Sequence, residues 1–277
     1  MMSLPRPRVR RGVTLIELII TLILVSIIGA AAGRLLISQT RWFARMSAQK
    51  DARSVTRNAR NIMQSELSVV VAAGGVQAAT NDSVTVRMPY ANGVFCASNT
   101  MMVFPVDSAL YAMATFAGYA IKDTTATGAY TYTVSGTAPT AGTASNCTGG
   151  TVLITAPTNG LYLTVAGVSG TAGAPMFLWQ TITYKFAAST LVSGAVGLYR
   201  RVGTGTPEEI LAPFESTARF RFYNLYADTA QTTVPTLANI RGLEVQLDAQ
   251  STTRASNRSS PETARITMAI FFRNRVD

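Results

Sequence analysis

Glu17 is the one charged side chain among the 21 residues from Val13 to Gly33, and it stands fifth after Gly12. A carboxylate in so apolar a segment costs about 2.5–3.5 kcal/mol near the centre of a bilayer-crossing helix and less near its end. A plain anchor has no use for it, so the residue calls for a partner. The rest of the chain offers little reactive chemistry. It contains no histidine, the commonest general base and metal ligand. A serine or cysteine nucleophile would therefore lack its usual base. The three lysines, Lys50, Lys122 and Lys185, sit in no Ser-x-x-Lys motif. The acids are scattered, with Asp82, Asp107, Asp123 and Asp228 isolated, so neither a carboxylate pair nor a calcium loop is legible. Gly203-Thr204-Gly205 is a turn between strands and not a phosphate loop. Two cysteines are too few for structural zinc without histidine. No catalytic residue, metal or cofactor is expected, and the chain does not read as an enzyme.

The elements that must position Glu17 are plain. Arg6, Arg8, Arg10 and Arg11 form a basic leader over residues 1–12. Residues 13–33 follow as an apolar run, and a helix of that length spans about 30 Å, one bilayer core. The arginines hold their end in the cytoplasm by the positive-inside rule. Residues 34–73 carry mixed charge, and neither proline nor glycine occurs from Arg34 to Val71. There Val55, Ala59, Ile62, Met63, Val69 and Val70 recur near helical spacing, which predicts an amphipathic helix laid on something, ended by Gly74-Gly75.

Gly12-Val13-Thr14-Leu15-Ile16-Glu17 resembles the signal of type IV prepilins and type II secretion pseudopilins, in which Phe is commonest where Val13 stands. The resemblance implies cleavage after Gly12 by a prepilin peptidase and N-methylation of the new terminus, Val13. It implies that Glu17 meets a neighbouring subunit's N-terminal amine during assembly. Two other readings are an ordinary secretory signal cut at Ala30-Ala31-Ala32 and a plain membrane anchor. The first suits an apolar core of roughly 7–15 residues, shorter than this one, and would enclose Glu17. A twin-arginine signal at Arg10-Arg11 is a weaker reading still.

Beyond Gly75 the period changes to two, and residues 76–277 read as a β-rich periplasmic head. Strands are expected at Ser83–Met88, Thr100–Phe104, Tyr130–Val134, Thr151–Thr155, Leu161–Val165, Phe177–Phe186, Gly197–Val202, Ala218–Tyr226, Leu243–Asp248 and Arg265–Phe272. Ile182, Tyr184 and Phe186 fall on one face of their strand; Phe220, Phe222 and Leu225 fall near one face of theirs, opposite Arg219 and Arg221. The last strand is apolar enough to be central or packed on the helix. Ile210–Phe214 reads as a short connection. Residues from about 123 to 175 are rich in Thr, Gly, Ala and Ser and read as an insertion of loops and short edge strands. The exported side permits a disulfide between Cys96 and Cys147, closing a loop of about 50 residues worth up to ~4 kcal/mol in the chain-entropy model. Two unpaired buried thiols are the alternative.

The fold class expected is α+β: a long N-terminal spinal helix packed on an antiparallel β-sheet head, as in pilins. Ile182–Phe186, Gly197–Arg201, Ile210–Phe214 and Phe220–Tyr223, in that order, resemble the larger minor pilins of the PilW group and the J-type minor pseudopilins. The segment Asn58–Leu67 is similar to their helix after the membrane. The resemblance implies a structural subunit that helps initiate or cap a type IV pilus or a type II secretion pseudopilus. It would sit in the inner membrane as a single-pass protein before passing to the filament tip. Implied partners are the prepilin peptidase, other major and minor pilins or pseudopilins through the N-terminal helix, and the inner-membrane assembly platform. Other classes are a tip adhesin or DNA-uptake subunit and, more remotely, a membrane-anchored periplasmic enzyme. The arginines of the head, from Arg200 to Arg275, could supply a phosphate-binding surface. Net charge is +10, but 24 basic residues less the leader's four, against 14 acidic, leave +6 over 265 residues, a mild bias.

Overall fold

The computed structural model describes residues 14–71, 73–107, 111, 114–122, 128–148, 161–254 and 258–272. One helix, α1 (Leu15–Leu67), runs 53 residues without a proline, about 80 Å at 1.5 Å per residue. Thr14 caps its start in an extended conformation, and the Ser68 N–H closes its end on the Gln64 carbonyl. The sequence reading carries the helix to residue 73; it stops at Leu67. The cause is the run Val69-Val70-Val71. These β-branched residues lose χ1 freedom in a helix, and Val70 is buried in the core instead. The turn onto the sheet follows, with Ala73 and Gly74 both at positive φ.

The head is antiparallel and contains thirteen strands among the described residues. In chain order they are β1 (Val76–Ala79), β2 (Ser83–Phe95), β3 (Thr100–Val103), β4 (Gly118–Lys122), β5 (Tyr130–Val134), β6 (Thr140–Ala141) and β7 (Leu161–Thr164). Then come β8 (Pro175–Ala188), β9 (Val196–Val202), β10 (Glu208–Phe214), β11 (Arg219–Asn224), β12 (Ile240–Gln250) and β13 (Thr263–Phe271). The α+β fold class with a long N-terminal helix is as the sequence implies.

The longest strands, β2 and β8, pair along most of their length, interrupted by an irregularity between Pro89 and Ala91. Each spends its other edge on two partners. β8 pairs with β4 through its first half and with β9 through its second; β2 pairs with β1 and then β3. The sheet thereby serves two main cores, beside smaller clusters around Phe177 and Trp179 and around Cys96 and Cys147. One lies under α1, where Met63 and Leu67 meet Val84, Ile182, Tyr184, Phe220, Leu243 and Met268. The other lies at the far end, built on Phe95, Met101, Tyr119, Leu163 and Leu178. Fully burying one such side chain contributes about 1.5–3 kcal/mol.

Several strands differ from expectation. Ile210–Phe214 is not a connection but most of β10, paired with β9 and touching β12 at Phe214. Pro213 argues against a strand when read locally, but it falls between the paired positions Leu211 and Phe214, where the register shifts. β1 and β4 are also additional. Gly118 of β4 packs so closely on Trp179 that a Cβ there would lie 2.6 Å from the indole ring. β13 takes the second of its two expected places: among the described residues it pairs with β12 alone and lies under α1, with Met268 and Ile270 turned inward and Phe272 buried just beyond its end. The strand expected at Thr151–Thr155 lies outside the described residues.

Candidate assembly surface

Between Leu15 and Ser47 α1 buries no side chain against the head, and its ionic contact there among the described residues is that of Arg45 with Glu262. Every residue in that stretch is exposed save the half-buried Gly33, including Leu15, Ile19, Leu22, Ile23 and Leu24. Free helix of this length measures about 50 Å. It is the one helix among the described residues long and apolar enough to cross a membrane. Three of its hydroxyls are satisfied within the helix. The hydroxyls of Thr21, Ser26 and Thr40 donate to the carbonyls of Leu18, Leu22 and Ile37 at 2.7–2.9 Å. A hydroxyl bonded back onto its own helix needs no water or foreign partner in an apolar environment.

Glu17 stands in the first turn. Its N–H donates to Thr14 Oγ1 at 3.4 Å, and its position near the helix N-terminus suits a negative charge. Its carboxylate meets no partner among the described residues. Gly12 and Val13 lie outside the described residues. Gly29 and Gly33 sit one turn apart on the free helix, and no atom approaches within 4 Å of where a Cβ would stand on either. The sequence reading treats Ala30-Ala31-Ala32 only as a possible cleavage site and passes over the glycines that bracket it. The signal that would have found them is small residues four apart, which let two helices approach closely.

From Ala48 onward the helix docks. Ala48, Ala52, Thr56, Ala59, Met63 and Leu67 are buried, a stripe repeating every three or four residues. Four of the six are small, so the helix backbone lies close to β12 and β13, and the Thr56 hydroxyl donates to the Ala52 carbonyl. The sequence expectation names Ala59 and Met63 from this stripe and misses Ala48, Ala52, Thr56 and Leu67, the first three being small residues that carry little hydropathy signal. Val55 and Ile62 flank the stripe, half-buried.

Two ionic contacts bracket the docked half. At its start, Glu262 ahead of β13 pairs with Arg45 at 3.2 Å and accepts from Gln49 Nε2 at 3.4 Å. At its end, Glu66 accepts from Arg200 at 3.0 and 3.1 Å and from the Tyr184 hydroxyl. Burial, reinforced by the Glu66 carboxylate, pushes the Tyr184 phenol well above its ordinary value. Burial works against the Arg200 cation, but Glu66 outweighs it and raises its pKa.

The head's arginines are largely committed. Arg221 pairs with Glu244, Arg241 with Asp228, Arg258 with Glu262 and Arg265 with Asp248. Arg273 and Arg275 lie outside the described residues. Asp248 is buried. Burial pushes its carboxyl up, but hydrogen bonds from Arg265, Thr217 and Gln246 prevail and hold it below the usual carboxylate range. At the far end Cys96 and Cys147 form a disulfide across Cα atoms 4.9 Å apart. Cys147 belongs to a short helix, α2 (Ser145–Thr148), which the bond ties to the end of β2. Among the described residues no three cysteine or carboxylate side chains gather at one point.

Residues 7–33 match the family model of the prokaryotic N-terminal methylation motif. No curated protein and no solved structure matches the chain significantly. The match covers Gly12, Val13 and Glu17 and ends where the run of apolar residues reaches Arg34. Together with the free apolar helix it is consistent with membrane anchoring. Carried on a helix that continues into an antiparallel β-sheet head, this motif supports a place for the chain in the type IV pilin and pseudopilin family.

Proposed function

We propose that this chain is a minor pilin or pseudopilin, a structural and non-enzymatic subunit cut after Gly12 by a prepilin peptidase and methylated on Val13. The observation that carries the reading is the methylation motif at the head of about 50 Å of helix that the fold leaves bare, of which roughly the first 30 Å is apolar. Such a surface needs another apolar environment. A bilayer supplies it before assembly, with the head on the periplasmic side, and the helices of sibling subunits supply it afterwards. Glu17 then sets the register of each incoming subunit by pairing with a neighbour's N-terminal amine. A buried carboxylate left without its amine is costly, so the pair discriminates between complete and incomplete docking. A head of some 200 residues limits stacking along a shaft, which favours a place at or near the tip, initiating or capping the filament, with the inner-membrane platform as the site of assembly.

The mature N-terminus tests this first, by intact mass and N-terminal peptide sequencing of the membrane fraction. A methylated Val13 is expected; a start at Gly33 would make the chain an ordinary exported β-protein and remove the role of α1. Glu17→Ala is expected to leave the protein in the membrane fraction while filament initiation falls at least tenfold; undiminished initiation would exclude the pairing role. A DNA-binding head has less support, since Arg200, Arg221, Arg241, Arg258 and Arg265 each face a carboxylate.

A further inference from the structure

The sheet face turned away from α1 carries a groove of about 540 Å³ across β2, β8 and β9. Strand alternation makes its floor polar. Val84, Tyr184 and Leu198 point into the core under the helix, so Thr85, Thr183, Lys185, Tyr199 and Arg201 stand on the opposite face. Thr183 lies across from Thr85 on one side and from Arg201 on the other, and Lys185 across from Tyr199. Lys185 and Arg201 are therefore diagonal neighbours, about 7–8 Å apart.

The electrostatics of the groove are one-sided. Lys185 is exposed and forms no ion pair among the described residues. Arg201 reaches Thr183 Oγ1 with Nη2 at 3.5 Å, the long limit of a hydrogen bond, and its Nε is buried with no acceptor. The Thr85 and Thr183 hydroxyls lie 3.0 Å apart, so one donates to the other and one hydroxyl proton stays free. The acid beside this face, Glu209, is already occupied. It accepts from the Ser189 hydroxyl, from the Thr190 N–H and hydroxyl at 2.7 and 2.5 Å, and from the Tyr199 hydroxyl at 3.1 Å. Gly197 lets it lie flat there, for a Cβ at that position would stand 2.3 Å from the Glu209 carboxylate. Glu208, next in the chain, stands across from Arg200 and so faces the other side of the sheet. Two cations, an orphaned guanidinium N–H and a free hydroxyl proton thus converge with no unspent carboxylate among them.

We propose that this groove binds an anionic group, a phosphate or a carboxylate, held between Lys185 and Arg201 and accepting from the threonine pair, with the Tyr199 ring and Pro207 as apolar walls. A planar guanidinium suits either anion in bidentate geometry. The volume admits a ligand of roughly sugar size. The site does not rest on the filament reading, because it lies on the face opposite α1.

The test is calorimetric titration of the full chain in a non-ionic detergent with inorganic phosphate, with glucuronate and with uncharged glucose. Saturable binding of at least one anion is expected, with none of glucose. Tighter phosphate binding assigns a phosphorylated ligand; tighter glucuronate binding assigns an acidic saccharide. Lys185→Gln with Arg201→Gln should weaken binding tenfold or more. Lys185→Glu alters only an exposed side chain, so it reports on binding with the fold intact and should weaken it at least fivefold. No saturable heat from either anion, or binding that survives Lys185→Glu undiminished, overturns the proposal.

Discussion

From Leu15 to Ser47 α1 carries leucines, isoleucines, Trp42 and Phe43 into the open; from Ala48 to Leu67 it hides a stripe made mostly of alanine and threonine. The free half is far more apolar than the docked half, yet it is the docked half that packs. Hydrophobicity alone therefore does not tell where a helix meets its own domain. What decides is complementarity: small residues bring the backbone close to β12 and β13, and the ionic contacts at Glu262 and Glu66 fix the two ends of the contact. The free half has large side chains with no such counterpart in the chain, which suits lipid or other copies of the same helix. On the proposed function, folding energy and assembly energy are thus written on different stretches of one continuous element.

Substitutions can break that division. The largest effect is expected from Leu67→Ala, which empties a fully buried site in the core under the helix. Denaturant unfolding of the full chain in detergent should show a loss of about 2–5 kcal/mol. Glu66→Ala comes next, at about 2 kcal/mol, because it strands the Arg200 guanidinium and the Tyr184 hydroxyl together. The double variant with Arg200→Ala should cost less than the sum of the two singles, and strict additivity would show that the pair is not coupled.

A pH series sharpens the contrast. Asp248 anchors β12 to β13 in the docked region, and its folded-state pKa is depressed. A depressed carboxylate stabilises the fold above its unfolded value, near 3.9, and that contribution is lost as pH falls through the folded value. The melting temperature of the head should therefore drop on acidification below about pH 4. Asp248→Asn should flatten that dependence; an equally steep acid limb in the variant would assign it to other carboxylates. The smallest effect is expected from Leu24→Ala in the free half. It should move the head's stability by no more than about 0.5 kcal/mol, and a larger shift would mean that the free half contacts the head in solution.

The head shows where reading along the chain works and where it stops. Ile182, Tyr184 and Phe186 are buried as their alternation requires, and so are Phe220 and Phe222. Half-buried strands announce themselves because their period of two survives in sequence. β10 does not, since Pro213 and two register shifts break its alternation. β4 is equally quiet, because a glycine packed on Trp179 looks locally like a turn residue. The groove between Lys185 and Arg201 is silent as well. Its residues come from three strands separated by more than a hundred positions at the extremes, and only the pairing of β2, β8 and β9 brings them side by side.

What the sequence determined by itself was whatever is contiguous. The basic leader, the position of Glu17 after Gly12, the uncharged run behind it and the helix–sheet order all follow from composition and period over short windows. Local side-chain sterics and bilayer thickness act on just such windows. The tertiary structure alone decided which half of α1 docks, where the helix ends, which arginines are consumed by carboxylates and how thirteen strands share two main cores. Those outcomes depend on close packing and on charge pairs between residues far apart in the chain. A buried alanine at 52 or a carboxylate at 66 acquires its meaning only from the surface set against it.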